Sequence, residues 1–430
     1  MNGFAEEYKR KLIAPEEIAD VLRPGARVFI EQGPAEPLVL VDELCRSVHR
    51  LREIQIMIVP ITGVNMVPFA KPEYTNHWQI FSFLGTRNLR TAISENRAEY
   101  VPIHVSEIPS ALYGRFRPDV SMIQVTPPDS FGFCNFGIEV DYNRAAVDGA
   151  SITIAQVNSC MPVMCGDTSI HISEIDYFVE KNSELIELPP TEPNEVEKKI
   201  AVNVADLVHN GSTIQIGVGE LMDVILIELR DKCDLGIHSG LLSDRMLDLI
   251  EFGAVTGMRK NINPRKVVAA MLLGTERLYR SCERNTLIEL YPVSYTHNRS
   301  VISKIENFVS INSSIEIDLT GQVNSEAVND EIIAGVGGQF DFVRIGRLSP
   351  GGKSILAIPS MSKGRSRIVP QLEQGSPVST ARVDVDLVVT EFGVADLRHR
   401  SLRERAKALV DIAHPDAKNE LRHATHLVIG

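Results

Sequence analysis

Short apolar runs alternate with segments of helical period along most of this chain. Arg27-Val-Phe-Ile30, Ile54-Gln-Ile-Met-Ile-Val59, Val120-Ser-Met-Ile-Gln-Val125 and Ala150-Ser-Ile-Thr-Ile-Ala155 are rich in β-branched residues and are closed by glycine, proline or polar side chains, which predicts strands. Between 187 and 194 the pattern stops at Glu187-Leu-Pro-Pro-Thr-Glu-Pro-Asn194, where the prolines oppose both helix and sheet ladder. Asn194 and Glu197 then have capping-box spacing. They open a predicted helix whose apolar face is Val196, Ile200, Val204, Leu207 and Val208. The alternation restarts with a strand at Thr213–Ile216, a turn at Gly217-Val-Gly219 and a helix over Leu221–Leu229, and further strands follow at Ser354–Ile358 and Asp386–Thr390. The fold class predicted is α/β, as two tandem open α/β domains over residues 1–187 and 195–430.

Composition narrows the classes of function. Apolar residues make up 44% and charged residues 23% of 430 residues, as in ordinary globular proteins. The net charge of −12 opposes general nucleic-acid binding. It permits one anionic ligand held in a locally basic cleft. No run reaches the roughly 20 apolar residues of a membrane span, and Met1–Lys11 lacks the apolar core of a signal peptide. Cytoplasm is the expected location. The six cysteines form no CxxC pair and have no histidines at zinc-ligand spacing, so they are expected to be free thiols and no metal site is expected.

Several glycine-containing segments could carry chemistry. Gly217-Val-Gly219 lies between a predicted strand and helix, where bare backbone and free N–H groups suit an anion. Met222 stands where a dinucleotide fingerprint has its third glycine. Arg347-Leu-Ser-Pro-Gly-Gly-Lys353-Ser354 fails as a P-loop, because Arg347 takes the place of the first glycine and a strand follows. Lys353 is therefore expected in a solvated loop. Gly335-Val-Gly-Gly338 is read equally as a bulged turn or as backbone kept bare for a ligand, and Ser360–Arg367 as a solvated loop or an anion contact. Ser401 and Glu404 cap a helix whose predicted face is Leu402, Ala406, Leu409 and Ile412.

Seven segments in order resemble the acetyl-CoA hydrolase/transferase family, which includes acetate and 4-hydroxybutyrate CoA-transferases. They are Asp129–Gly137, Gly166–Ser173, Gln215–Gly219, Leu235–Asp244, Asp318–Ser325, Gly335–Phe342 and Glu391–Asp416. The resemblance implies two similar α/β domains with an active site at their interface, assembled as a homodimer or higher homo-oligomer. It also implies acyl-CoA and a small carboxylic acid as substrates, with no permanently bound cofactor. By the same resemblance Gln215, Ile216, Gly217, Val218 and Gly219 form the loop that closes over the CoA thioester. Gly338 and Lys363 contact CoA, and Asn324 helps to hold the thioester oxygen.

One position departs from the family. Where relatives read His-Thr-Glu and attack the acyl-CoA carbonyl with the glutamate, this chain reads His238-Ser239-Gly240. Three readings follow: a carboxylate from elsewhere substitutes, water is the attacking group, or the chain is a non-catalytic acyl-CoA-binding or regulatory homologue. The substitute carboxylates proposed from sequence are Glu31, in Phe29–Pro37, and Glu220, directly after the glycine loop. An acyl-CoA enzyme, transferring CoA or hydrolysing the thioester, is the reading preferred, because the glycine loop, Asn324 and Gly335–Gly338 are retained.

Overall fold

A computed structural model describes residues 2–329 and 331–429. The chain divides into two compact units, one of residues 1–189 with 269–295 and the other of residues 190–268 with 296–430. The first unit is built on seven strands: β1 (Arg27–Ile30), β2 (Ile54–Ile58), β3 (Trp78–Ser82), β4 (Ala98–Tyr100), β5 (Val120–Val125), β6 (Ile152–Val157) and β7 (Tyr177–Glu180). Their order is β7-β6-β5-β1-β2-β3-β4, and every pairing is parallel. All six residues of the central β5 are buried, as expected of a strand in a parallel sheet.

The sequence reading runs the second domain unbroken from 195 to 430, whereas the chain path re-enters the first unit over 269–295. Local hydrogen bonds hold that return. Leu188 N donates to Gly274 O at 2.9 Å and the Tyr279 hydroxyl to Ile186 O at 2.8 Å. Leu272 N donates to Ile138 O at 2.8 Å, and Glu289–Leu290 pairs in parallel with Cys165–Gly166.

The second unit has a six-stranded sheet of β8 (Thr213–Ile216), β9 (Gly236–Ile237), β10 (Phe308–Asn312), β11 (Lys353–Ala357), β12 (Leu387–Thr390) and β13 (Gly393–Asp396). The order is β9-β8-β10-β11-β12-β13, with only the β12–β13 pair antiparallel. Helix α1 (Glu195–Ala205) starts at the predicted cap. Asn194 Oδ1 accepts from Val196 N and Glu197 N, each at 3.0 Å, and Glu197 Oε2 accepts from Asn194 N at 3.1 Å. Helices α2 (Glu220–Glu228) and α3 (Gln339–Leu348) follow glycine turns. Helix α4 (Leu402–Asp411) carries the reciprocal Ser401–Glu404 cap.

Some expectations shift in detail. Val196 and Leu402 are exposed, because each sits in the first turn of its helix, before the apolar stripe meets the core. Lys353 is no solvated loop residue. It opens β11 half-buried, and its Nζ donates to Leu207 O at 2.9 Å. Among the described residues no helix is long and apolar enough to cross a membrane.

Candidate functional site

In parallel sheets ligands bind beyond the carboxyl ends of the strands, and the carboxyl ends of β8 and β9 hold the segments singled out from sequence. Residues 217–219 leave β8, and residues 238–240 leave β9 beside it. His238 N donates to Ile214 O at 3.1 Å, and the Ser239 hydroxyl to Ile216 O at 3.4 Å. Gln215 is buried at the end of β8 and exchanges amide hydrogen bonds with Asn312, at 3.3 and 3.1 Å. That pairing anchors the base of the loop, while Val218 and Gly219 are exposed. Gly219 has φ +129°, a conformation that side chains rarely adopt, and it opens α2.

The second line of the site is built around His297. Its imidazole lies between two glycines. A β-carbon at Gly240 would stand 3.1 Å from His297 Cε1 and 3.2 Å from Nε2, and one at Gly338 would stand 2.7 Å from Nε2. Phe342, one turn into α3, stacks at 4.5 Å between ring centroids. His297 Nδ1 and the Thr296 hydroxyl are 3.0 Å apart. Thr296 O also lies 3.1 Å from His238 Nε2, so the two histidines are tied to adjacent groups of one residue. Burial alone pushes the His297 imidazole down to about 3, and it pushes His238 equally far with help from Lys260. Both rings are neutral at physiological pH. Nothing in the spacing of the sequence marked His297, because its relation to residue 240 exists only in the fold.

The acetyl-CoA hydrolase/transferase N-terminal domain matches residues 2–189, and the C-terminal domain of the same family matches residues 274–425. The chain belongs to the acetyl-CoA hydrolase/transferase family. It is 41% identical to 4-hydroxybutyrate coenzyme A transferase of Clostridium kluyveri, over 97% of this chain and 98% of that protein. Two solved structures each cover 99% of both chains: RipA from Yersinia pestis, with TM-score 0.93 and 32% identity, and 4-hydroxybutyrate CoA-transferase from Porphyromonas gingivalis, with TM-score 0.84 and 34% identity.

The acetyl-CoA hydrolase/transferase chemistry needs a group able to act on a thioester carbonyl, and the residues expected to supply it differ in availability. Glu31 belongs to the first unit and is fully buried. Its Oε1 accepts from Asn143 Nδ2 at 2.6 Å and its Oε2 from Gln124 N at 2.5 Å. Burial raises its carboxyl well above the usual range. The protonated form is a poor nucleophile, and neither oxygen is free. Glu220 is exposed at the first position of α2, directly after the glycine loop.

Asn324 is occupied with its own turn. Its Nδ2 donates to Glu316 Oε1 at 3.1 Å and Ala327 O at 2.8 Å, while its Oδ1 accepts from Glu326 N and Ala327 N. Both amide hydrogens are committed, so this arrangement leaves none for a thioester oxygen. Lys363 is exposed at the tip of the hairpin formed by Met361–Ser362 and Arg365–Ser366. Positive φ at both Lys363 (+49°) and Gly364 (+76°) marks a two-residue hairpin turn. The Ser360–Arg367 segment is thus a hairpin, and Gly335–Gly338 is the turn into α3.

Glu31 is one of four buried carboxyl groups in the first unit whose titration burial shifts upward. Glu36, Glu139 and Asp141 are the others, and burial raises each of them, Asp141 to about 8. Asp141 Oδ1 has no hydrogen-bond partner. A folded-state value above the unfolded value of 3.8 means that folding takes up a proton as pH rises past 3.8. The native state is therefore favoured most below that pH, and stability is lost as pH rises toward about 8. Asp141→Asn keeps the shape and removes the titration. It is expected to raise stability at pH 8 by about 1–3 kcal/mol, with the gain fading toward pH 4. Thermal unfolding of both proteins across that range measures it, and a gain independent of pH would contradict the assignment.

Proposed function

We propose that this protein is an acyl-CoA enzyme that moves CoA between an acyl-CoA and a small carboxylic acid or hydrolyses the thioester. The observation that carries the reading is the shared site of the second unit. The Gly240 segment at the end of β9 and the glycine turn into α3 meet at His297, and a bare glycine loop leaves the neighbouring strand β8, within a chain that matches the family along both of its domains. Glycine backbone admits close approach of a thioester, and the start of α2 offers N–H groups to an anion. Gln215–Gly219, Gly338 and Lys363 are the CoA-binding residues in this reading, and Glu220 is the accessible carboxylate beside the loop.

Homo-oligomeric assembly and a cytoplasmic setting complete the proposal. The first rests on family membership. The second is supported by six cysteines that are all unpaired, as in a reducing compartment.

The test is to incubate the purified protein with acetyl-, butyryl- and succinyl-CoA, with and without acceptor acids. Consumption of at least one thioester is expected, either as CoA exchange that depends on the acceptor or as release of free CoA without one. Saturable binding of all three with neither product would overturn the enzymatic reading in favour of a binding protein. Glu220→Gln separates the routes further: loss of exchange would identify Glu220 as the substitute carboxylate, and unchanged exchange would remove it from that role.

A further inference from the structure

The most informative feature of the second unit is that the space in front of Gly240 is filled. His297 occupies the direction in which a side chain at 240 would project, with Nε2 3.2 Å from the position of that β-carbon and 2.7 Å from the equivalent point at Gly338. The ring is held on the far side by Thr296 at Nδ1 and on its face by Phe342. The His297 side chain is only 5% exposed, and the ring edge that carries Nε2 is turned toward both glycines. It thus faces the two glycine-bearing segments assigned above to the thioester site.

We propose that His297 is the catalytic base of this site and that the reaction it serves is thioester hydrolysis. This rests on the acyl-CoA reading of the preceding section. In the tautomer required, Nδ1–H donates to the Thr296 hydroxyl oxygen and Nε2 keeps its lone pair. A water oxygen bonds to the acyl carbon while one of its protons passes to Nε2. The carbonyl π pair moves to oxygen and gives a tetrahedral oxyanion. When that collapses, the carbonyl re-forms, the carbon–sulfur bond breaks, and the sulfur takes the proton from the imidazolium. Water and thioester are consumed, one carboxylic acid and one CoA thiol are formed, and the imidazole returns neutral.

The environment suits this role in two ways. Burial holds the ring neutral, so the Nε2 lone pair is available, while it weakens the free imidazole as a base. The imidazolium is costly in the free site, so it forms only beside the negative charge developing on the acyl oxygen, where a preorganised positive group has its largest effect. The arrangement also accounts for the departure at 240. A carboxylate projecting from that backbone and an imidazole at 297 compete for the same space, and this chain has the imidazole.

The experiment compares wild type, His297→Ala and His297→Asn in the full-length protein. It follows free thiol release from acetyl-, butyryl- and succinyl-CoA without acceptor, and CoA exchange with acceptor acids. CoA affinity is measured by calorimetry and folding by thermal unfolding. Wild type is expected to release CoA without acceptor. Both variants are expected to lose about 100-fold or more in kcat, with CoA affinity within about threefold of wild type. Added imidazole is expected to restore part of the rate to His297→Ala and none to His297→Asn, because only the alanine variant leaves room for the ring. His297→Asn carries the comparison if the alanine variant does not fold.

Hydrolysis retained within about threefold in either folded variant would overturn the proposal. So would an acyl adduct on intact wild-type protein during turnover, which would make the imidazole a nucleophile. Acceptor-dependent exchange without hydrolysis in wild type would also overturn it while leaving the acyl-CoA reading intact. Failure of wild type to turn over any of the thioesters would count against that reading itself.

Discussion

Gly240→Glu is expected to destabilise the second unit by about 3 kcal/mol, and His297→Ala in the same chain is expected to recover most of the loss. The β-carbon of the new residue would meet the imidazole at 3.1–3.2 Å, and that ring is hemmed in by Phe342 and by Gly338. Overpacking of a tight site costs about 1–3 kcal/mol, and the rest comes from pressing a carboxylate against a buried, neutral ring. His297→Ala alone leaves a cavity and is destabilising as well. The double variant fills that cavity, so the two changes are expected to couple by more than about 1 kcal/mol. Urea unfolding of the four proteins measures the cycle, and additive effects would show that the two positions do not share space. In the double variant the restored carboxylate is expected to bring exchange that depends on the acceptor, with a covalent CoA adduct on intact protein.

The second large effect lies in the first unit. Gly166 has φ +114°, and a β-carbon there would stand 2.2 Å from Leu290 O and 2.6 Å from Leu290 N. Both obstacles are backbone atoms of a paired strand, so no rotamer change relieves them. Asp167 N also donates to Leu290 O at 2.9 Å, which pins the strand in place. Gly166→Ala is expected to cost more than about 3 kcal/mol through strain and overlap together. Gly25→Ala is the control, with φ +77° and nothing within 4 Å of the added carbon. It is expected to lose only about 1 kcal/mol, from backbone conformation alone. Similar losses in thermal unfolding of the two variants would refute the overlap with Leu290.

What was legible in the sequence was local. Asn194 with Glu197 and Ser401 with Glu404 announce helix starts, because a cap is made among residues three apart. Strands β1, β2, β5 and β6 of the first sheet and β8, β11 and β12 of the second show as apolar runs, since a parallel strand is buried on both faces. Gly217-Val-Gly219 and Gly335–Gly338 were marked as turns by composition. The features that decide the chemistry depend on partners far along the chain. His297 stands 57 residues from Gly240, and neither residue alone signals the fit between them. Asn324 carries an amide of the right type for an oxyanion, yet whether its hydrogens are free depends on Glu316 and Ala327. The burial of Glu31 depends on Gln124 and Asn143, about a hundred residues away. Family resemblance pointed to the segments of the candidate site, and only three-dimensional packing indicated which groups in them are available.

The return of residues 269–295 to the first unit has a consequence for how the protein is made. The first unit reaches its domain boundary at residue 189 but lacks Glu289–Leu290, the partner of Cys165–Gly166, until about a hundred further residues have left the ribosome. At roughly 5–20 residues per second that interval is about 5–20 s. Throughout it the backbone edge at 165–166 is unpaired, and residues 190–268 emerge without the remainder of their own unit. The order of translation therefore obliges the first unit to wait for residue 295 and the second for the chain beyond it. A gene truncated anywhere between 190 and 295 would yield neither unit whole.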